Sequence, residues 1–120
     1  MKFSWRKIKK YNQLPVFWEK INNDIFQKIG IPIKNIPVFT YIKLPSVAAL
    51  CVGLSNGTNV ICLRKSKIKS HNYLKMILMH EMVHQYQFEN GLPMNHDETF
   101  YSIAEKIKNK TGIDINCEEK

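Results

Sequence analysis

From His71 to Asn90 the chain reads "HNYLKMILMHEMVHQYQFEN", with neither proline nor glycine, between Ser70 and Gly91. Ser70 or Asn72 can cap a helix at its start, and Gly91 offers the residue type that stops one. A helix of this length in a chain of 120 residues must be the central rod of the structure, because a chain of that size holds one domain and one core. Met82 and Val83, the apolar pair between His80 and His84, fit a helix buried on several sides better than one lying on the surface.

The flanking segments supply what packs against this rod. In "LPVFWEKINNDIFQKIGIP", residues Leu14, Trp18, Ile21, Ile25 and Ile29 recur at steps of three and four, which predicts a first helix over about 16–29 that Gly30 ends and Pro32 keeps from resuming. Phe17 and Trp18 read as core. "IPVFTYI", 36–42, is β-branched, aromatic and too short for a stable helix, so it predicts a strand. Asn56-Gly57 between two apolar runs predicts a hairpin pairing 47–54 with 58–63. Cys51 and Cys62 fall inside those strands and read as small buried thiols. A last helix is written in "DETFYSIAEKIKNKTG", with Phe100, Ile103, Ala104 and Ile107 on one face, Gly112 at its end, and Asn95 with Glu98 as a loose capping box. The order predicts an α+β domain with a small, three-stranded, mostly antiparallel sheet. It spans 15–112, between a basic N-terminal arm, 1–14, and a C-terminal tail, 113–120.

Composition narrows the setting. Hydrophobic residues make up 44% and charged residues 23%, an ordinary globular balance. No apolar run approaches the ~20 residues of a membrane span, so no membrane role is expected. "MKFSWRKIKKYNQLP" is basic but lacks a secretory h-region, and three cysteines without a CxxC pair make no disulfide framework. The expectation is a soluble protein in a reducing, intracellular (cytoplasmic) setting. A net charge of +8 attracts polyanions, nucleic acid first among them. The excess gathers in Lys2 to Lys10 and in "RKSKIKS", Arg64 to Ser70. A solvated face that keeps the protein soluble is the ordinary explanation of such clusters, but in the arm the cations alternate with Phe3, Trp5 and Tyr11, a mixture that suits single-stranded nucleic acid. DNA is therefore a candidate partner.

The chemistry is concentrated in His80, Glu81 and His84. Residues four apart on a helix lie one turn above one another, so two imidazoles can aim at one point. Glu81 is rotated by about 100° from His80 and can stand beside a bound ion as a general base. Catalytic zinc keeps three protein ligands and an open position. The third ligand has to follow the turn made by Gly91, Pro93 and Asn95, and His96 is the natural candidate. Asp97 and Glu98 adjoin it, as substitutes or as acceptors for ligand N–H groups. His71 reads as a surface or cap residue.

These residues resemble a known group. "HEMVHQYQ", a glycine turn and then "NHDETFYSIAEKI" look like the SprT-like zinc metalloproteases, which include the Spartan-type proteases of DNA–protein crosslinks. The likeness covers roughly 15–112 and is sharpest over His80 to Phe100. It implies a minimal zincin fold, zinc held by His80, His84 and His96, and Glu81 as the catalytic carboxylate. The chain departs from the family's pattern in having Asp97 where glycine is common, and in ending on "INCEEK" rather than a cysteine-rich ribbon.

The leading expectation is thus a zinc-dependent peptidase acting on protein or peptide substrates, with DNA-associated proteins in view. Tyr101 is the first candidate to stabilise the oxyanion and Tyr86 the second. Two rivals are a nucleic-acid-binding module whose metal only staples the fold, and another small zincin directed at a single protein partner.

Overall fold

The computed structural model describes residues 13–43, 47–68 and 70–116. The elements follow the expected α+β order: α1, Leu14–Ile21; β1, Val38–Tyr41; β2, Ala49–Gly53; β3, Asn59–Leu63; α2, His71–Glu89; and α3, Glu98–Thr111. Most of the basic arm, residues 1–12, lies outside the described residues.

Ser70, not Asn72, caps α2: its hydroxyl accepts from the Tyr73 N–H at 3.1 Å. The helix buries Leu74, Ile77, Leu78, Met79, Met82 and Val83, and polar links fix its far half. Gln85, fully buried, accepts from the Trp18 indole N–H at 3.0 Å and donates to the Asn35 carbonyl. Glu89 accepts the N–H groups of Lys34 and Asn35 at 2.8 and 3.0 Å. Trp18 is thus core, as its periodicity predicts, and also the pin between α1 and α2.

The first helix begins at Leu14, two residues before the sequence pattern suggests, because Pro15 sits in the opening turn where its missing N–H costs nothing. From Asn22 to Phe26 the winding widens to a π-helix, with the Gln27 N–H bonded to the Asn22 carbonyl at 2.8 Å. The widening coincides with a second task for Asn22. Its buried side-chain amide donates to the Ile33 carbonyl at 2.8 Å and accepts the Ile33 N–H at 3.1 Å, satisfying backbone that no strand neighbour reaches.

The sheet is mixed, with strand order β1-β3-β2. The hairpin forms as predicted, β2 antiparallel to β3 with Cys51 opposite Ile61, but β1 joins the other edge of β3 in parallel, Phe39 opposite Ile61. Residue pattern marks strands but not the edge each one takes. Here the chain after β1 passes to the far edge before the hairpin turns β3 back into the middle. The hairpin loop holds three residues, Ser55 to Gly57, between the Leu54 N–H and the Thr58 carbonyl at 2.8 Å. Only Gly57, at φ +90°, takes the left-handed conformation, as the closing residue of such loops does.

In β2 the even residues face β3: the Ala48 carbonyl accepts from Arg64 and the Leu54 N–H reaches Thr58. By alternation the main-chain groups of Ala49, Cys51 and Gly53 point to the open edge, where α2 crosses. The crossing is close. A Cβ added at Gly53 would overlap the Phe88 ring. Helix α3 buries Phe100, Ile103, Ala104 and Ile107, the predicted stripe. Its cap is Asp97, whose carboxylate accepts the Phe100 N–H at 3.2 Å, in place of the expected Asn95. Gly112 closes the helix at φ +78°, and the chain then runs back so that Ile115 is fully buried.

Candidate metal centre

His80 and His84 project from one face of α2, and the loop after Gly91 returns His96 to meet them. The His96 Nε2 lies 3.1 Å from the His80 Nε2 and 3.2 Å from the His84 Nε2. The three residues form a group whose candidate ligand atoms are mutually within 4.8 Å, and no carboxylate or cysteine among the described residues joins it. With Zn–N bonds of 2.0–2.1 Å, two ligands of a tetrahedral ion stand about 3.3 Å apart. Both separations from His96 are close to what such an ion requires.

The rings are held in that attitude from behind. The His80 Nδ1 meets the Ile115 carbonyl at 2.8 Å, and the His84 Nδ1 meets the Gln87 Oε1 at 2.8 Å. An imidazole that donates its Nδ1–H to oxygen presents a lone pair at Nε2, the form that binds a metal. Gln87 is fully buried and uses the other end of its amide on the loop that carries His96, donating to the Asn95 carbonyl at 2.9 Å and towards the Asp97 carboxylate at 3.5 Å. One side chain thus orients His84 and anchors the approach of His96. Phe100 forms the floor, its ring stacked on His96 at 4.3 Å and on His84 at 5.1 Å, with His80 edge-on at 4.9 Å. Burial lowers the His84 pKa, the Gln87 bond opposes this, and the neighbouring His96 adds to it. The net shift favours the neutral ring, and neutral imidazole is the ligating form.

Glu81 lies between α2 and the open edge of β2, only 6% exposed. Burial pushes its carboxyl up to about 8, while the Cys51 backbone N–H, bonded to it, pulls the other way. The partner that the sequence leaves unnamed for this carboxylate is therefore main chain. The half-buried Cys51 thiol is pushed up to about 12, by burial first and then by the Glu81 and Cys62 charges, so it stays protonated, as expected of a packing residue.

The other candidates lie outside the histidine group. Asp97 caps α3, and neither it nor the exposed Glu98 belongs to the histidine group. Tyr101 is 52% exposed, its ring edge-on to Phe100 at 5.7 Å. Tyr86 faces a separate shallow hollow shared with Glu98, Ser102 and Lys106. His71 opens α2, half-buried, with its ring 5.0 Å from that of Phe17. Three contributors were not found from sequence. Gln87 was within reach, since i+3 from His84 is hydrogen-bonding distance on a helix. Ile115 and Cys51 act through backbone atoms, which carry no residue signature.

A histidine triad on a long helix and its following loop, beside a small sheet, is the arrangement that the resemblance implied, and the profile of the SprT-like family matches residues 15–119. The chain belongs to the SprT-like family. Comparison with individually curated proteins finds no match. The SprT-like match extends past Gly112 and takes in the segment that carries Ile115. Family membership and the histidine group together support a metallopeptidase-type domain with a metal-compatible site. Among the described residues no helix is long and apolar enough to cross a membrane.

Proposed function

We propose that this SprT-like domain is a zinc-dependent peptidase. The observation that carries the reading is the convergence of three Nε2 atoms at 3.1 and 3.2 Å at one end of an open cleft of about 280 Å³. A purely structural zinc would be enclosed by four protein ligands, whereas three ligands and an open side are the catalytic pattern. Bound there, the ion would acidify a water towards pH 7 and polarise a peptide carbonyl.

The chain's own groups do the rest. Glu81 takes a proton from the attacking water and returns it to the leaving amine. Burial raises its basicity and the Cys51 N–H favours its ionised form, the balance that a proton carrier near neutral pH needs. Ile115 and Gln87 hold two rings with their lone pairs forward. On the outward edge of β2 the Cys51 N–H is held by Glu81 and Gly53 lies against Phe88, which leaves the main chain at Ala49, beside the cleft, for an extended substrate to pair with. Of the two tyrosines, Tyr101 is the one kept for the oxyanion, because its ring meets Phe100 beneath the histidines whereas Tyr86 borders a separate hollow; Tyr101→Phe is expected to lower kcat by roughly a hundredfold.

Elemental analysis of the purified protein, and cleavage of an unfolded protein substrate, test the reading together. Wild type is expected to carry one zinc per chain and His80→Ala and His96→Ala to lose it, while Glu81→Gln should keep zinc but not cleavage. Proteolysis that survives in Glu81→Gln would remove the carboxylate from the mechanism. The charge of +8 supports delivery to DNA-associated proteins. Binding to single-stranded DNA should then fall with salt at a log–log slope of about 0.7 per phosphate neutralised, and a flat response excludes that route.

A further inference from the structure

The histidines are one part of the cleft, and among the described residues its other walls are chemically uniform. Val47, Ala48, Leu50, Met76, Ile77 and Ile115 line it, and none carries a charge or a side-chain hydrogen-bonding group. Ala48, Ile77 and Ile115 are themselves buried, so this part of the wall is fixed by the core. Val47 and Leu50, 38% and 45% exposed, form the rim. Ile77 and Met76 stand three and four residues before His80 on α2, so the apolar wall lies one turn from the ligand and on the same side of the helix.

We propose that this hollow receives the aliphatic or aromatic side chain of the residue flanking the scissile bond, so that the protein cuts unfolded chains beside apolar residues. The proposal rests on the peptidase reading above and names the substrate class for the same site. Size agrees, since an apolar cavity of about 150 Å³ already admits benzene and the cleft offers about 280 Å³. A Leu or Phe side chain fits with room for adjoining main chain. Charge agrees too. Among the described residues no titratable side chain other than the histidines lines the cleft, so a Lys or Asp side chain placed there would be desolvated without a counter-ion from them. The occupant is a substrate side chain because the hollow opens directly onto the histidines, and whatever fills it is presented to them.

Hydroxamates, which chelate zinc at an open coordination position, separate the two ideas without requiring turnover. Calorimetry on zinc-loaded wild type would compare acetohydroxamate with 4-methylpentanohydroxamate and with succinic monohydroxamate. Burying the branched alkyl group is expected to tighten binding by roughly ten- to a hundredfold over acetohydroxamate, and the carboxylate of the succinyl probe is expected to weaken it. Met76→Lys should erase most of the alkyl advantage, with elemental analysis confirming that zinc is still held. Equal affinities for the methyl and branched probes overturn the subsite and leave the peptidase reading standing. Failure of every hydroxamate to bind zinc-loaded protein overturns both. In a digest of a reduced, unfolded protein, cuts should be enriched beside Leu, Ile, Met and Phe; cuts with no such bias count against the subsite alone.

Discussion

Glu81→Gln should stabilise the metal-free protein, and by an amount that grows with pH. The carboxyl is buried and its pKa rises to about 8 from an ordinary 4.5, so the folded state holds the proton more tightly than the unfolded state. A group raised in this way stabilises the fold fully below its unfolded pKa and loses that contribution as pH climbs through the folded one. At about 1.36 kcal/mol per pKa unit, metal-free wild type should lose on the order of 3 kcal/mol between pH 5 and pH 8 from this group alone. Glutamine keeps an oxygen for the Cys51 N–H and never ionises, so its contribution is flat across the window. Subtracting wild type from variant cancels every other titrating group common to both. Urea unfolding of chelator-stripped proteins, followed by circular dichroism at unit steps of pH, reads the difference directly. With a slope of about 1.5 kcal/mol per molar, the variant's midpoint should lead by roughly 2 M more at pH 8 than at pH 5. A lead that stays constant from pH 5 to pH 8 would refute the placement of an ionisable, desolvated carboxyl at this position.

Gln87→Leu, which removes both ends of the amide that joins His84 to the His96 loop, should weaken zinc binding by roughly ten- to a hundredfold in a competition titration, with helix content unchanged. Gly53→Ala should cost about 1–3 kcal/mol in chemical denaturation, because the new methyl meets the Phe88 ring and the crossing of α2 over β2 has to open. Asp97→Ala removes the α3 cap and should cost about 1 kcal/mol while leaving zinc stoichiometry intact; loss of the metal would instead show that this cap holds the His96 loop in place.

Much of the site was legible because side-chain spacing on a helix is geometry in its own right. His80 and His84 needed only the periodicity of α2, and Gly91 with Pro93 announced the bend that brings His96 back. The first and last helices were legible from apolar stripes, Leu14 to Ile29 and Phe100 to Ile107, and α2 from a run without proline or glycine between Ser70 and Gly91. The parallel seating of β1 was not, since Val38 to Tyr41 would read alike on either edge of β3. Nor was the π turn at Asn22, whose cause is a partner, Ile33, eleven residues on. The cap of α3 was missed by two residues because Asn95 and Asp97 are both good caps, and the choice between them is made by where the His96 loop must lie.

The bond from His80 to residue 115 reaches an oxygen that every amino acid possesses. No substitution at that position can delete the acceptor, yet every substitution there redraws the contour of the hollow that the Ile115 side chain borders. Selectivity for what enters can therefore drift in a lineage, or be redesigned at the bench, while the imidazole it leans on stays in place.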